Sequence, residues 1–287
     1  MKKKMTPYLL LVPQLILGAV FIIGLGTGII QSFGVIPAFG LETPTLDYYK
    51  EILTRPDTLQ SLRYSLYIAF VSAFFATVTG TLLCAVFVNR KRTKGGIMRI
   101  IQLPIIVPHV VVALFVVNIL SQNGILARIC AQFGLIAEQQ QFPMFLYDSN
   151  GVGIILAYLW KEIPFIVYFV IALMANINGN LGEAAVNLGA NKFQAFFKVT
   201  LPLCMNTILS GFLIVFVFAL GAYELPHILG ATTPKALPEL AYIEYTKPDL
   251  LARPYAMAIN GIIIIISLIS AIIYFILLRK SSRKLMD

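Results

Sequence analysis

The sequence predicts an all-α membrane protein with six transmembrane helices. The 287-residue chain is 59% hydrophobic and 12% charged, whereas soluble domains are about a quarter charged. Six segments are also long and apolar enough to cross a hydrocarbon core of about 30 Å. These segments are residues 8–30, 62–88, 97–120, 151–175, 203–222 and 255–278.

Most of the six spans follow from uninterrupted apolar sequence. The first apolar run is too long for a secretory signal and lacks an obvious small-x-small cleavage site, so we expect an uncleaved helix. Pro108 and His109 lie near the middle of the third span, and we expect a kink at Pro108 that frees a backbone carbonyl. The fourth carries Lys161 and Glu162 near its middle, and we count it as a span because the flanking runs are apolar. As neighbours in sequence, these two side chains point about 100° apart and are not expected to pair with each other.

Basic residues predict the orientation of the chain. They are concentrated at both termini and in alternate loops, which the positive-inside rule assigns to the cytoplasm. The same asymmetry explains the net charge of +9, because the excess basic residues face anionic lipid headgroups. A nucleic-acid partner is not needed to explain this charge. The residues are Lys2, Lys3, Lys4, Arg90, Lys91, Arg92, Lys94, Arg99, Lys192, Lys198, Arg279, Lys280, Arg283 and Lys284.

The remaining sequence predicts one membrane domain over residues 1–287. No internal repeat is evident. Three outer segments connect the spans: 31–61, with turns or a short helix; 121–150, with a helix near 124–133; and 223–254, which we expect to be irregular. No P-loop pattern occurs, so the chain is not expected to bind ATP. The cysteines lack metal-ligand spacing, and we predict no metal site.

A polar, amphipathic insert separates the fourth and fifth spans at about residues 177–202. Its sequence from Glu183 is EAAVNLGANKFQAFFKVTLPL. We expect Asn178 or Asn180 to cap a helix that begins near residue 181, because Asn is a favoured N-cap residue. Glu183 would then lie in the first turn, where its charge suits the helix dipole.

The rest of the insert predicts a docking surface. Ala184 and Ala185 keep one face small, and Leu188 adds an apolar anchor at helical spacing. Gly189 permits a turn before a second amphipathic stretch at 192–199, and Pro202 is expected at the start of the next membrane helix. Such an insert suits helix-in-groove docking to a soluble partner. The alternative is a helix lying on the membrane surface.

These residues resemble the coupling loop of permease subunits in binding-protein-dependent ABC importers, with the six-helix type I architecture. Glu183, Ala184, Ala185, Gly189 and Pro202 match the loop pattern. Asn187 departs from the Asp that many members carry. The run from Trp160 to Phe165, WKEIPF, resembles the family's Trp-x(3)-Pro-Phe signature.

The resemblance implies a subunit of the bacterial inner membrane that is not itself an enzyme. Its partners would be a second homologous permease, giving a heterodimer, an ATP-binding subunit dimer that holds ATP and Mg, and an extracytoplasmic substrate-binding protein. No cofactor is expected on this chain. The segment 221–230, GAYELPHILG, is most similar to the polyamine-type branch. Aminophosphonates, opines, ferric ion, thiamine and sugars remain alternative substrates.

Five residues are candidates for the substrate pathway: His109, Trp160, Glu162, Tyr223 and Glu224. Ionisable groups inside a membrane are costly and tend to face a cavity or one another. Glu224 and Tyr223 would suit an ammonium group by charge and cation–π attraction. The structural alternative is that His109 bonds a neighbouring helix and that Lys161 pairs with the second permease.

Two other classes of protein compete with the importer hypothesis. A membrane enzyme or assembly factor would need a catalytic constellation, and we find none among the two histidines and scattered carboxylates. A secondary transporter would usually show paired repeats.

Overall fold

The computed structural model describes residues 2–284 and the side chains of residues 10–279. The side chains of Lys2, Lys3, Lys4, Lys280, Arg283 and Lys284, which entered the orientation prediction, lie outside these. The described chain is helical, apart from connecting turns and one isolated bridge. Its α-helices are α1 Lys2–Ser32, α2 Asp47–Thr54, α3 Pro56–Asn89, α4 Gly96–Ile106, α5 His109–Leu120, α6 Ile125–Gln132, α7 Val152–Ile177, α8 Glu183–Asn187, α9 Lys192–Ala195, α10 Leu201–Gly221, α11 Glu224–Leu229, α12 Leu237–Tyr245 and α13 Arg253–Lys284.

Six helical segments within the described residues are long and apolar enough to cross a membrane, which confirms the predicted number. They are Leu10–Ser32, Pro56–Asn89, His109–Gln132, Val152–Asn187, Lys192–Gly221 and Leu250–Arg279.

The third span differs from the prediction of one helix over residues 97–120. The chain forms two helices, α4 and α5, separated at Val107 and Pro108. Val107 is extended, with ψ at 128°, because a following proline disfavours the helical conformation. The candidate span therefore begins at His109 and continues through a turn into α6. The proline was evident in the sequence, but its effect was underestimated.

One of two compact units comprises Met1–Leu59 and Leu240–Ile265. The Tyr255 hydroxyl donates to Glu51 at 2.6 Å, and the Arg55 guanidinium lies 2.6 Å from the same carboxylate. Both bonds hold the pKa of Glu51 below its usual value, and the bond from Tyr255 has the larger effect. Arg55 also lies 3.6 Å from the buried Glu244. A polar network thus joins α2 to the start of α13.

The other unit comprises Gln60–Glu239 and Ile266–Asp287, and it contains the candidate sites. Its centre is a close approach of α3, α7 and α10 around the fully buried Ile166. A β-carbon at Gly80 would lie 2.7 Å from Cγ2 of Ile166, and one at Gly211 would lie 2.9 Å from its Cδ1. Two glycines therefore let the flanking helices pack tightly against α7.

We expected the segment 223–254 to be irregular, and this prediction is wrong. The segment forms α11, α12 and a short 3-10 turn at Leu250–Ala252. Its prolines lie within the first turns or flanking bends of these short helices, where they are tolerated. The buried Glu239 of α12 accepts a hydrogen bond from Lys235 at 2.6 Å and lies 3.2 Å from His227 of α11.

Candidate functional site

The insert between the fourth and fifth spans is a helical hairpin that extends two membrane helices. After α7 the chain continues through a π-helical turn, Asn178–Gly182, directly into α8. The predicted N-cap at Asn178 or Asn180 is therefore wrong, because no helix begins there. Asn178 accepts from the Thr200 hydroxyl at 3.2 Å, and Asn180 donates to Asn176 at 2.8 Å.

A second π-helical turn, Phe196–Thr200, connects α9 to α10. Pro202 lies in the first turn of α10, as expected, but the helical segment continues back through the π turn to Lys192. A proline inside a helix lacks one N–H and its ring clashes with the carbonyl four residues earlier. A wider π turn immediately before it relieves this conflict. The helix can thus extend below the proline, which the sequence argument did not foresee.

The two π turns pack against each other at the base of the hairpin. A β-carbon on the buried Gly182 would lie 2.9 Å from Oδ1 of Asn178 and 3.3 Å from the hydroxyl of Thr200. Because Gly182 has no side chain, the two helical arms of the hairpin come close enough for the Asn178–Thr200 hydrogen bond to form. This contact fixes the direction in which α8 and α9 project.

The tip of the hairpin has the predicted turn. Gly189 has a φ of +97°, a value that favours glycine. Asn191 then caps α9, accepting from the Gln194 N–H at 2.8 Å, while the Gln194 side chain accepts from the Asn191 N–H. Leu188 is 90% exposed and Phe193 is 71% exposed. The turn thus presents two large apolar side chains to the surroundings.

The residues predicted to couple to an ATPase cluster on this hairpin. Ala184 and Leu188 are exposed, and Ala185 is half-buried. Glu183 is not at a free helix N-terminus, so the dipole argument does not apply. Its carboxylate lies 3.4 Å from Lys91 in the loop after α3. Both side chains are largely exposed, and such pairs contribute at most about 1 kcal/mol.

A cavity of about 240 Å³ lies between α4, α5, α7 and α10. Its lining includes residues on both sides of the break in the third span and four residues of α7 that share one face at helical spacing. Most lining groups are apolar, and the polar ones are concentrated on α5 and α7. The lining residues are Ile105, His109, Tyr158, Lys161, Glu162, Phe165, Ile214, Val215 and Phe218.

Glu162 is the least satisfied of the polar groups around this cavity. Glu162 is 4% exposed, and neither of its carboxylate oxygens has a hydrogen-bond partner among the residues that the structure describes. Ser72 of α3 lies nearby, but its hydroxyl donates to the Ala69 carbonyl at 3.3 Å. Lys161 points elsewhere, since its ammonium group donates to the Val107 carbonyl at the end of α4. This carbonyl is exposed by the break at Pro108.

His109 begins α5, and its ring packs against Phe218 of α10, with centroids 5.2 Å apart. Among the described residues, His109 makes no hydrogen bond to a neighbouring helix, which was the structural alternative to a role in the pathway. The Tyr158 hydroxyl donates to the Ala219 carbonyl at 3.5 Å. Sequence reasoning missed Tyr158, Phe165 and Phe218 because apolar and aromatic residues occur on every face of these helices.

The other three predicted pathway residues do not line the cavity. Trp160 is 42% exposed on another face of α7. The fifth span ends at Gly221, and Glu224 is the exposed first residue of α11. Tyr223 stacks on His227, with ring centroids 4.7 Å apart. His109 and Glu162 therefore line the cavity, whereas Tyr223 and Glu224 lie at α11. The Glu224 carboxylate is nevertheless close enough to interact electrostatically with His109 and Lys161.

Comparison with known proteins places the chain in a family. A family model described as "Binding-protein-dependent transport system inner membrane component" matches residues 74–284, which include the cavity and the hairpin. The chain belongs to this family. It is a permease subunit of an ABC importer, in agreement with the resemblance seen in the sequence. The match favours this class over the membrane enzyme and the secondary transporter.

Relatives of this permease carry several names. It is 26% identical to the sulfate transport system permease protein CysT of Salmonella typhimurium, over 77% of this chain and 76% of the relative. It is 23% identical to the putrescine transport system permease protein PotI of Escherichia coli, over 84% and 80% of the two chains. A putative ferric transport permease, FbpB 1 of Haemophilus influenzae, is 27% identical over 78% and 34%.

Solved structures confirm the type I fold of this permease. A chain of a bacterial ABC transporter that imports alginate aligns with a TM-score of 0.73 and 20% identity, over 98% of this chain and 96% of the other. In the complex of the bacterial alginate transporter with an alginate-bound periplasmic protein, the TM-score is 0.76 at 21% identity, over 95% and 93%.

Proposed function

We propose that this chain forms half of the translocation pathway of an ATP-driven importer and couples to its ATPase through the hairpin at 183–202. The observation that supports this most is the continuity of helix from α7 to the exposed tip. Glu162 in the cavity and Leu188 at the tip belong to one helical segment, Val152–Asn187 and its cap. Contact at the tip can therefore act mechanically on the cavity wall.

The proposed partners follow from this role. A second permease, encoded as a paralogue, completes the pathway, and an ATP-binding subunit dimer holds ATP and Mg, so this chain carries neither cofactor nor hydrolytic site. An extracytoplasmic binding protein delivers the substrate. We also propose that both termini and the hairpin face the cytoplasm of the bacterial inner membrane, and that residues 1–287 act as one permease domain.

Leu188→Asp tests the coupling role. Leu188 is 90% exposed, so the substitution leaves the fold intact but places a charge in an apolar docking groove. A lost interface anchor costs about 2 kcal/mol or more, roughly a 30-fold weaker association. We expect the ATPase subunit to co-purify poorly with the variant. Leu135→Asp, at a side chain 72% exposed in the segment after α6, is the matched control. Equal ATPase retention in both variants would rule out docking at the tip.

We propose a polyamine or another small cationic amine as the substrate. Support comes from the unpaired Glu162, from the exposed carboxylate of Glu224, and from the relationship to a putrescine permease. Relatives named for sulfate and ferric transport favour other solutes. The carboxylates argue against sulfate, which they repel, and favour a cation.

Glu224→Gln tests the second group of pathway residues, Tyr223 with Glu224. The substitution keeps the size of the side chain and removes its charge. Because Glu224 is exposed, we expect uptake of labelled putrescine to fall only modestly, by up to about fivefold. Basal ATP hydrolysis should stay normal, since the hairpin is at the opposite end of α10. Uptake kinetics identical to those of the parent would reassign Glu224 to a structural role at the start of α11.

A further inference from the structure

We propose that the cavity between α4, α5, α7 and α10 is a binding site for an ammonium group, with the Glu162 carboxylate as its acceptor. The inference rests on the proposed importer function, because it treats the cavity as part of the substrate path. It adds the position of the binding group and the chemistry of the end of the ligand that enters.

The first argument is the state of Glu162 itself. Glu162 is only 4% exposed, and within the described part of the chain both its carboxylate oxygens lack a hydrogen-bond partner. Burying a carboxylate without a partner is costly, especially inside a membrane. Buried polar groups in folded proteins are nearly always satisfied. The missing partner is therefore expected to come from outside this chain. Glu162 lines the cavity but both its oxygens have almost no accessible surface, so an ammonium group reaches them once the side chain rotates into the cavity.

The second argument is that nearby donors are already engaged. The Lys161 ammonium group is held by the Val107 carbonyl, and the Tyr158 hydroxyl by the Ala219 carbonyl. Lys161 precedes Glu162 in the sequence and lies about 100° away around the helix, so its ammonium group cannot reach the carboxylate without leaving the Val107 carbonyl. The break at Pro108 thus has a second effect: it supplies the carbonyl that keeps Lys161 away from Glu162.

The third argument is the size and lining of the cavity. Its volume of about 240 Å³ is several times the share of one water molecule, about 30 Å³, so it admits a short chain of carbon and nitrogen atoms. Ile214 and Val215 offer apolar contact to methylene groups. Phe165 and Phe218 provide aromatic rings that attract a cation. An aliphatic amine fits this combination of one carboxylate and apolar walls.

The lining also disfavours an oxyanion. An anion entering the cavity would meet the Glu162 carboxylate, while the ammonium group of Lys161 remains bound to a backbone carbonyl. The charge of the cavity therefore excludes anions whatever their shape.

The test is equilibrium binding of radiolabelled putrescine to the complete importer in nanodiscs, without its binding protein. The parent complex should bind putrescine. Glu162→Gln should bind at least about 30-fold more weakly, because it loses a buried charge pair. Glu162→Asp keeps the charge and should lose less. Glu42→Gln, at an exposed glutamate in the segment before α2, should match the parent. Neither sulfate nor uncharged 1,4-butanediol should compete.

Two results would overturn the inference: no binding to the parent complex, or equal binding by Glu162→Gln. If a basic residue of the second permease neutralises Glu162 instead, the parent will not bind putrescine and Glu162→Gln will lower the yield of assembled complex. Failure of the importer function is visible separately, as ATP hydrolysis that the binding protein does not stimulate in the parent, whether or not putrescine binds.

Discussion

Gly189→Val is expected to reduce ATP-driven uptake at least about tenfold while the permease still reaches the membrane. Gly189 has a φ of +97°, and a β-branched residue there is strained by about 1–3 kcal/mol. Nothing lies within 4 Å of the position of its β-carbon, so the strain comes from the backbone alone. The turn would rearrange and change the positions of Leu188 and Phe193. Uptake into proteoliposomes containing the whole importer measures the effect.

Gly179→Val is the matched control for this substitution. Gly179 lies in the π turn of the same hairpin, has open space around it and does not have a positive φ. The same valine there should cost only the small difference in helix propensity. If both variants transport normally, or if both fail equally, the conformation of the tip does not determine coupling.

Gly80→Leu is expected to prevent most permease molecules from folding stably. A β-carbon at this position would lie 2.7 Å from Cγ2 of Ile166 and 3.2 Å from the Ile163 carbonyl. Ile166 is fully buried, and Gly211 presses on it from the other side. It therefore has no free space into which it could move. Overpacking of this kind typically costs about 1–3 kcal/mol, and a leucine between two membrane helices should reach the upper end or exceed it.

Size-exclusion chromatography after heating measures this loss as a lower melting temperature and a smaller monodisperse peak. Gly18→Leu in α1 is the control, because nothing lies within 4 Å of that position. A melting temperature for Gly80→Leu equal to that of Gly18→Leu would show that α3 and α7 do not depend on their close approach.

Composition and charge pattern predicted the architecture, because span length and hydrophobicity are direct consequences of bilayer thickness. The turn at Gly189 was also predictable, since a glycine between two amphipathic stretches has few other uses. The positions at which a span breaks or continues were not predictable. Pro108 and Pro202 look alike in the sequence, yet one breaks its span and the other lies within a continuous helix. The difference depends on whether a π turn can form nearby, and no local residue pattern shows that.

The polar residues illustrate a second limit. Lys161 and Glu162 were both recognised as unusual inside a span, and their spacing showed that they do not face each other. Which of them is satisfied depends on a carbonyl from another helix, Val107, and therefore on tertiary packing. The sequence could name the pair but could not say that the lysine is anchored and the glutamate is not.

The unbroken path of helix from the cavity to the hairpin tip makes α7 a lever. Glu162 and Leu188 are separated by about 39 Å at 1.5 Å per residue. A tilt of about 5° about the level of Glu162 would swing the tip sideways by about 3 Å, by simple trigonometry on that length. Because the two π turns cross-brace the arm through Asn178 and Thr200, little of this motion is absorbed at its base. A tilt too small to alter the packing around Ile166 would thus move Leu188 by about the length of a side chain.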